Sequence, residues 1–291
     1  MSWRVVVVTG VAKLDLKLGF LVVRKEQTTK IHLSEIHTLM IDSTAVSLTT
    51  ALLNALVQRK IKVIFCDEEH NPASELLPSH GSHDSSMKIK MQMGWPEWIK
   101  QQVWTEIIAE KIRKQRELLL QREKADEAAH LARFLQELEP GDITNREGHA
   151  AKVYFNALFG MDFTRSQESA TNAALNYGYS LILSVFNREI AANGYLTQLG
   201  LFHDNRFNAF NLGCDLMEPF RPLVDEYVVC GQFKTFDHEE KLKLIDLLNE
   251  EVYMAGKVQR LTNAIKLYCK SVFDALNEQD VSKLQFYANE L

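Results

Sequence analysis

The sequence predicts a two-domain α+β protein, a small N-terminal, mostly β domain followed by a larger all-α domain, and three observations carry that prediction. From Arg4 to about Asp67 apolar residues recur with a period near two. The clearest case is Lys13-Leu14-Asp15-Leu16-Lys17-Leu18, where charged and apolar side chains alternate as on a half-buried strand. From Trp95 onward the period becomes helical: Val103, Ile107, Ile108 and Ile112, and again Leu175, Tyr179, Leu183 and Phe186, share faces of a 3.6-residue turn. Between the two lies a polar, breaker-rich stretch, His70 to Ser86, which contains Asn71-Pro72, Pro78 and a run of serine, histidine and glycine. The expected division is residues 1–78 as β domain, 79–94 as linker and 95–291 as helical domain.

Element by element, Val5 to Val8, Lys13 to Leu18, Phe20 to Val23, Lys30 to Leu33, Leu39 to Ile41 and Lys62 to Cys66 are short and separated by polar or glycine-containing turns. Most are rich in β-branched residues, as strands are. Ser47 to Gln58 interrupts them as a helix, with Leu48, Leu52, Leu53, Leu56 and Val57 on one face and Ser43 or Thr44 placed to cap it. In the helical part, Gly160 and Gly194 follow apolar-periodic segments and suit left-handed C-terminal caps.

Composition narrows the function classes. With 46% hydrophobic and 24% charged residues, and only 13 glycines and 6 prolines in 291, the chain is neither disordered nor collagen-like. The apolar runs are far shorter than the roughly 20 residues of a membrane span. Val5 to Val8 is also too short for the core of a signal peptide, so no membrane association and a cytoplasmic location are expected. Cys66, Cys214, Cys230 and Cys269 form no Cys-x-x-Cys pair and read as buried free thiols. A net charge of −5 means that any nucleic-acid site is a local patch. Lys111, Arg113, Lys114, Arg116, Arg122 and Lys124, with Lys88 and Lys90, are candidates for phosphate contact. The interleaved Glu110, Glu117 and Glu123 equally suit a solvated helix face. His80 and His83, in the serine-rich stretch, read as solvent-exposed.

Three spots carry candidate chemistry. Thr144 and Glu147 have capping-box spacing at a helix start, beside small residues Gly148, Ala150 and Ala151 that permit close approach. His203 lies in a polar segment, Leu199 to Asn208. Asp215 and Glu218 stand three apart before Pro219, so Asp215 fits an N-cap with Glu218 at the third position. Each spot has a structural explanation by itself. Together they offer carboxylates and one imidazole without a thiolate, a donor set for manganese or magnesium.

The windows Arg146-Glu147-Gly148-His149-Ala150-Ala151-Lys152-Val153-Tyr154-Phe155, Asn172-Ala173-Ala174-Leu175-Asn176-Tyr177-Gly178-Tyr179, Leu201-Phe202-His203 and Asp215-Leu216-Met217-Glu218-Pro219-Phe220-Arg221-Pro222 closely resemble the CRISPR-associated integrase family Cas1, in order and approximate spacing. The resemblance runs through the whole chain, and the length looks like that of the type II branch. It implies that the helical domain is catalytic and that the protein is a metal-dependent DNA endonuclease and integrase. Such an enzyme inserts short foreign DNA segments (spacers) into a CRISPR array, by attack of a 3′-hydroxyl on a phosphodiester at the repeat border. Position by position, it implies Glu147, His203 and Glu218 as catalytic metal ligands for Mn2+ or Mg2+. Many relatives have aspartate where Glu218 stands, a variant that looks like the type II pattern. Asp215 remains an outer-shell group or a cap. Double-stranded DNA (protospacer and repeat), a homodimer formed through the β domain, and the small partner Cas2 are the implied associations. The competing readings are a non-catalytic helical scaffold, in which the acids are only caps, and a metal phosphohydrolase for small substrates.

Overall fold

The structure, a computed structural model, describes residues 4–76 and 83–288. Its N-terminal part holds two four-stranded sheets. One contains β1 (Arg4–Val8), β5 (Ile36–Ile41), β7 (Lys62–Cys66) and β8 (Pro72–Glu75) in that order, the first three parallel and β8 antiparallel at the edge. The other runs β4 (Thr28–His32), β3 (Phe20–Arg24), β2 (Ala12–Lys17) and β6 (Val46–Leu48), with β6 parallel to β2. Helix α1 spans Thr50–Gln58. It starts later than its apolar periodicity suggests, because Val46–Leu48 pairs with Ala12–Leu14 as a strand. Thr49, rather than Ser43 or Thr44, caps it by accepting the Leu52 N–H.

Alternation along the first sheet explains how the two parts join. Leu39, Ile41 and Val63 face a core shared with Leu14, Leu21, Leu52 and Leu56. Met40, Ile64 and Cys66 point the other way, into the core of the helical part. β5 is buried at every position, as a strand covered on both faces must be. At the same seam, Arg188 donates to the Lys60 carbonyl from Nε (3.0 Å) and Nη2 (2.6 Å).

The larger part is helical: α2 (Ser85–Met93), α3 (Glu97–Gln121), α4 (Ala125–Gln136), α5 (Arg146–Phe159), α6 (Ala170–Ala192), α7 (Asn211–Met217), α8 (Arg221–Gly231), α9 (His238–Ile245) and α10 (Leu261–Glu278). At 1.5 Å per residue α3 is about 37 Å long. It contacts α4, α5, α7, α8 and α10. Within the stretch read from sequence as linker, Ser85–Met93 is helical, and buried Gln92 and Trp95 anchor it to residues far along the chain. His83 is exposed, whereas His80 lies outside the described residues.

Periodicity alone also missed a hairpin, β9 (Glu251–Met254) with β10 (Lys257–Arg260). Its two-residue loop, Ala255-Gly256, has positive φ at both positions (52° and 79°), as primed hairpin turns require. Gly194 takes a positive φ of 86° after α6, whereas Gly160, at φ 100° and ψ 159°, ends α5 outside the left-handed helical region. The four cysteines are free, but only Cys66 and Cys269 are buried; Cys230 is exposed. Among the described residues no helix is long and apolar enough to cross a membrane.

Candidate functional site

The start of α5 is capped without the residues that the sequence offers as a capping box. Asn145, in a left-handed conformation, accepts the Gly148 N–H through Oδ1 (3.3 Å). The Asp142 carboxylate accepts the N–H groups of Arg146 (2.7 Å) and Glu147 (3.0 Å). Thr144 Oγ1 is buried and has no hydrogen-bond partner among the described residues. Gly148 serves this cap, since a Cβ there would lie 2.7 Å from Asn145 Oδ1. With the helix N-terminus satisfied by others, the Glu147 carboxylate is free to reach across to α3, where it accepts a hydrogen bond from Lys111 Nζ.

Glu218 comes from the turn between α7 and α8. Its buried carboxylate accepts from Lys111 Nζ (2.5 Å) and from Arg221 Nε (2.8 Å). Burial alone would raise its pKa, but the Arg221 and Lys111 charges outweigh that and hold it at about 2. Lys111, although buried, stays charged: burial opposes the ammonium, and Glu218 and Glu147 more than compensate. Two carboxylates from different helical segments thus converge on one cationic atom.

Asp215 is not an N-cap of its own helix, because α7 begins four residues earlier, at Asn211. Its fully buried carboxylate accepts the backbone N–H groups of Leu201 (2.5 Å), Phe202 (3.1 Å) and His203 (3.1 Å). It also meets His203 Nδ1 at 2.5 Å. That contact raises the His203 pKa, against the effect of burial. In the neutral ring it places the proton on Nδ1 and leaves the Nε2 lone pair available. The loop is fixed from a second side by Gln92, whose carboxamide donates to the Leu196 and Leu199 carbonyls and accepts the Leu196 N–H. Gly200 has no room for a Cβ, which would lie 2.7 Å from Asp215 Oδ2.

The structure therefore joins Glu147 and Glu218 through Lys111, and it holds His203 within the electrostatic influence of Glu218. It does not close the donor atoms of Glu147, His203 and Glu218 into one cluster of ligand spacing. Among the described residues the group that does so is Asp42, His70 and His238, whose donor atoms lie within 4.8 Å of one another and can coordinate a divalent metal. Sequence reasoning missed this group, since its members are far apart in the chain and share no spacing.

Lys111 is a further site residue that sequence reasoning missed, reading it instead as either a phosphate contact or part of a solvated helix face. The signal is present: it falls at i+4 from Ile107 and i+3 from Ile108, on the inward face of α3. Lys114 is likewise buried and paired with Glu117 at 2.8 Å, so neither lysine lies on a solvated face.

The family described as CRISPR associated protein Cas1 matches residues 5–251 of the chain. The CRISPR-associated endonuclease Cas1 of Neisseria meningitidis serogroup C (strain 8013) is 34% identical over 230 residues, covering 79% of this chain and 76% of that protein. Among solved structures, a casposase bound to integration product superposes with a TM-score of 0.74 at 18% identity, over 96% of this chain and 92% of the other. A chain of a Cas6-RT-Cas1–Cas2 complex gives 0.74 at 19% identity; 99% of this chain matches 36% of that longer one.

Proposed function

The chain belongs to the CRISPR-associated Cas1 family, and from that premise we propose that it is a metal-dependent DNA endonuclease and integrase of the type II branch. In this reading it inserts short foreign DNA segments at the border of a CRISPR repeat. The 3′-oxygen of the incoming strand bonds to phosphorus while the 3′-oxygen of the repeat strand leaves. The observation that carries it is the convergence of Glu147 and Glu218 on one cation, with neither carboxylate used as a helix cap. Together with His203 they are the proposed ligands of Mn2+ or Mg2+, a set of oxygen donors plus one imidazole that suits such an ion. A divalent ion held there supplies Lewis acidity at the phosphodiester and lowers the pKa of the attacking hydroxyl. The remaining work falls to side chains already in place. Glu218 is ionised throughout the neutral range, Asp215 keeps His203 oriented with Nε2 free, and Arg221 brings a fixed positive charge to the same turn.

Similarity to a casposase bound to integration product supports strand transfer, and similarity to a Cas6-RT-Cas1–Cas2 complex supports a Cas2 partner. Double-stranded DNA as substrate, a homodimer built on residues 1–78, and action in the cytoplasm complete the reading. The test is an integration assay with a labelled short duplex, a plasmid carrying a repeat, Mn2+, and protein with and without Cas2. Wild type should join label to plasmid, and Glu147→Ala should abolish joining. Joining by both proteins would misplace the active site. Joining by neither, with Cas2 present and Mn2+ bound, would favour a small-substrate phosphohydrolase; no Mn2+ binding would leave a scaffold.

A further inference from the structure

We propose that Asp42, His70 and His238 form a second metal site, suited to a borderline ion such as Zn2+, that ties the β-sheet part to the helical part. The three residues belong to separate segments: Asp42 directly follows β5, His70 sits in the turn between β7 and β8, and His238 opens α9. Asp42 is only 2% exposed. Two imidazole nitrogens face one of its oxygens, His70 Nδ1 at 3.1 Å and His238 Nε2 at 3.7 Å from Oδ2, and the ring centroids are 4.1 Å apart. A tetrahedral zinc ion with bonds of about 2.0–2.1 Å keeps its ligands roughly 3.3 Å apart. The two separations, 3.1 and 3.7 Å, bracket that value.

A hydrogen bond from His70 Nδ1, shared between Asp42 Oδ2 and the Asp42 carbonyl oxygen at 3.1 Å each, accounts for His70 but not for His238, whose Nε2 faces Oδ2 from beyond hydrogen-bond distance. The other nitrogen of that ring, Nδ1, is buried with no partner among the described residues. Two imidazoles with a single carboxylate favour zinc over a hard ion such as magnesium. The His70 and His238 side chains are 36% and 37% exposed, which gives water a route to a fourth coordination position.

The turn that carries His70 is built to hold it. His70 adopts a positive φ of 64°, and Asp67 Oδ1 accepts the N–H groups of Glu69 (3.0 Å) and Asn71 (2.8 Å). Lys241, one turn along α9 from His238, donates to the Glu69 carbonyl and to Asn71 Oδ1. A metal bridging Asp42, His70 and His238 would therefore fasten a junction that already docks without it.

The test uses the full chain carrying Glu147→Gln, Glu218→Gln and His203→Gln, which removes the other candidate ligands, stripped with chelator. It is titrated calorimetrically with ZnCl2 and, separately, with CoCl2 while visible absorption is recorded. One Zn2+ per chain, the intense bands of four-coordinate Co2+ and a higher melting temperature with Zn2+ are expected. Adding His238→Gln should weaken Zn2+ binding at least about tenfold and abolish the bands. Absence of saturable binding, or binding that survives both His70→Gln and His238→Gln, overturns the proposal. Should the substituted chains fail to fold, the unsubstituted protein decides: Zn2+ must shield His70 and His238 from diethylpyrocarbonate, and equal modification with and without Zn2+ also overturns it.

Discussion

Lys111 is the residue on which the candidate active site turns, because its ammonium sits where Glu147 and Glu218 meet. It neutralises two carboxylates that would otherwise repel each other, and it competes with a bound cation for the same oxygens. Replacing it with methionine should therefore act in opposite senses with and without metal. In the absence of Mn2+, Lys111→Met should destabilise the protein by about 2–3 kcal/mol. This is less than the loss of a wholly buried pair, since Arg221 still compensates Glu218 and Glu147 is partly solvated. On the proposed ligand assignment Mn2+ should restore more stability to the variant than it adds to wild type, and thermal unfolding with and without Mn2+ reads this directly. An equal gain in both proteins would separate Lys111 from any metal site. At this scale the sequence reveals residue types better than roles. Glu147, His203 and Glu218 are visible as chemistry, but the spacing that suggests caps at Glu147 and Asp215 is coincidental. Asp142 and Asn145 cap α5, and Asp215 caps a loop twelve residues before it rather than its own helix.

Between elements, close packing sets what a position tolerates. Gly178 on α6 lies against Val224 on α8, and a Cβ there would overlap Val224 Cγ1. Nearby, α8 carries Arg221, which holds Glu218, so a shift of α8 is transmitted to the site. Gly178→Ala should cost about 1–3 kcal/mol by overpacking, less the gain of about 1 kcal/mol in helix propensity that alanine brings. Denaturant midpoints check the sign: a variant more stable than wild type would mean that the interface relaxes freely. The glycine stands in one of the windows that resemble Cas1, and its reason is packing rather than chemistry. Strongly periodic elements are legible in the sequence for the same kind of reason: β2 and α6 carry long runs of one period. Others are not. β6 is hidden by the helical spacing of α1, the β9–β10 alternation lasts only four residues a strand, and α2 is polar enough to read as linker. What anchors α2 is Gln92, whose partners are over a hundred residues away and so leave no local trace.

For the whole molecule, one buried carboxyl sets a pH dependence of stability whose sign is fixed. Asp225 on α8 is almost fully enclosed and accepts hydrogen bonds from Tyr154 on α5 (2.9 Å) and Tyr179 on α6, so it links three helices of the core. Burial raises its pKa to about 6, against the lowering effect of the two tyrosine hydroxyls and of Arg221 and Lys111. In the unfolded chain an aspartate titrates at about 3.9. The native state therefore holds this proton more tightly than the unfolded state. The stability it contributes is fully present below about pH 4 and is lost as pH rises through 6, and the gap between the two pKa values makes that loss about 3 kcal/mol. Other groups titrate over the same range, but they cancel when wild type is compared with Asp225→Asn at each pH, provided they lie outside this cluster. Urea unfolding at pH 4.5, 6 and 8 should show wild type losing stability relative to the variant as pH rises. A difference that grows the other way would mean that the tyrosine hydroxyls favour the ionised carboxylate by more than burial disfavours it. The three helices would then be joined by a buried charge at every pH tested, rather than by an acid that is neutral below about pH 6.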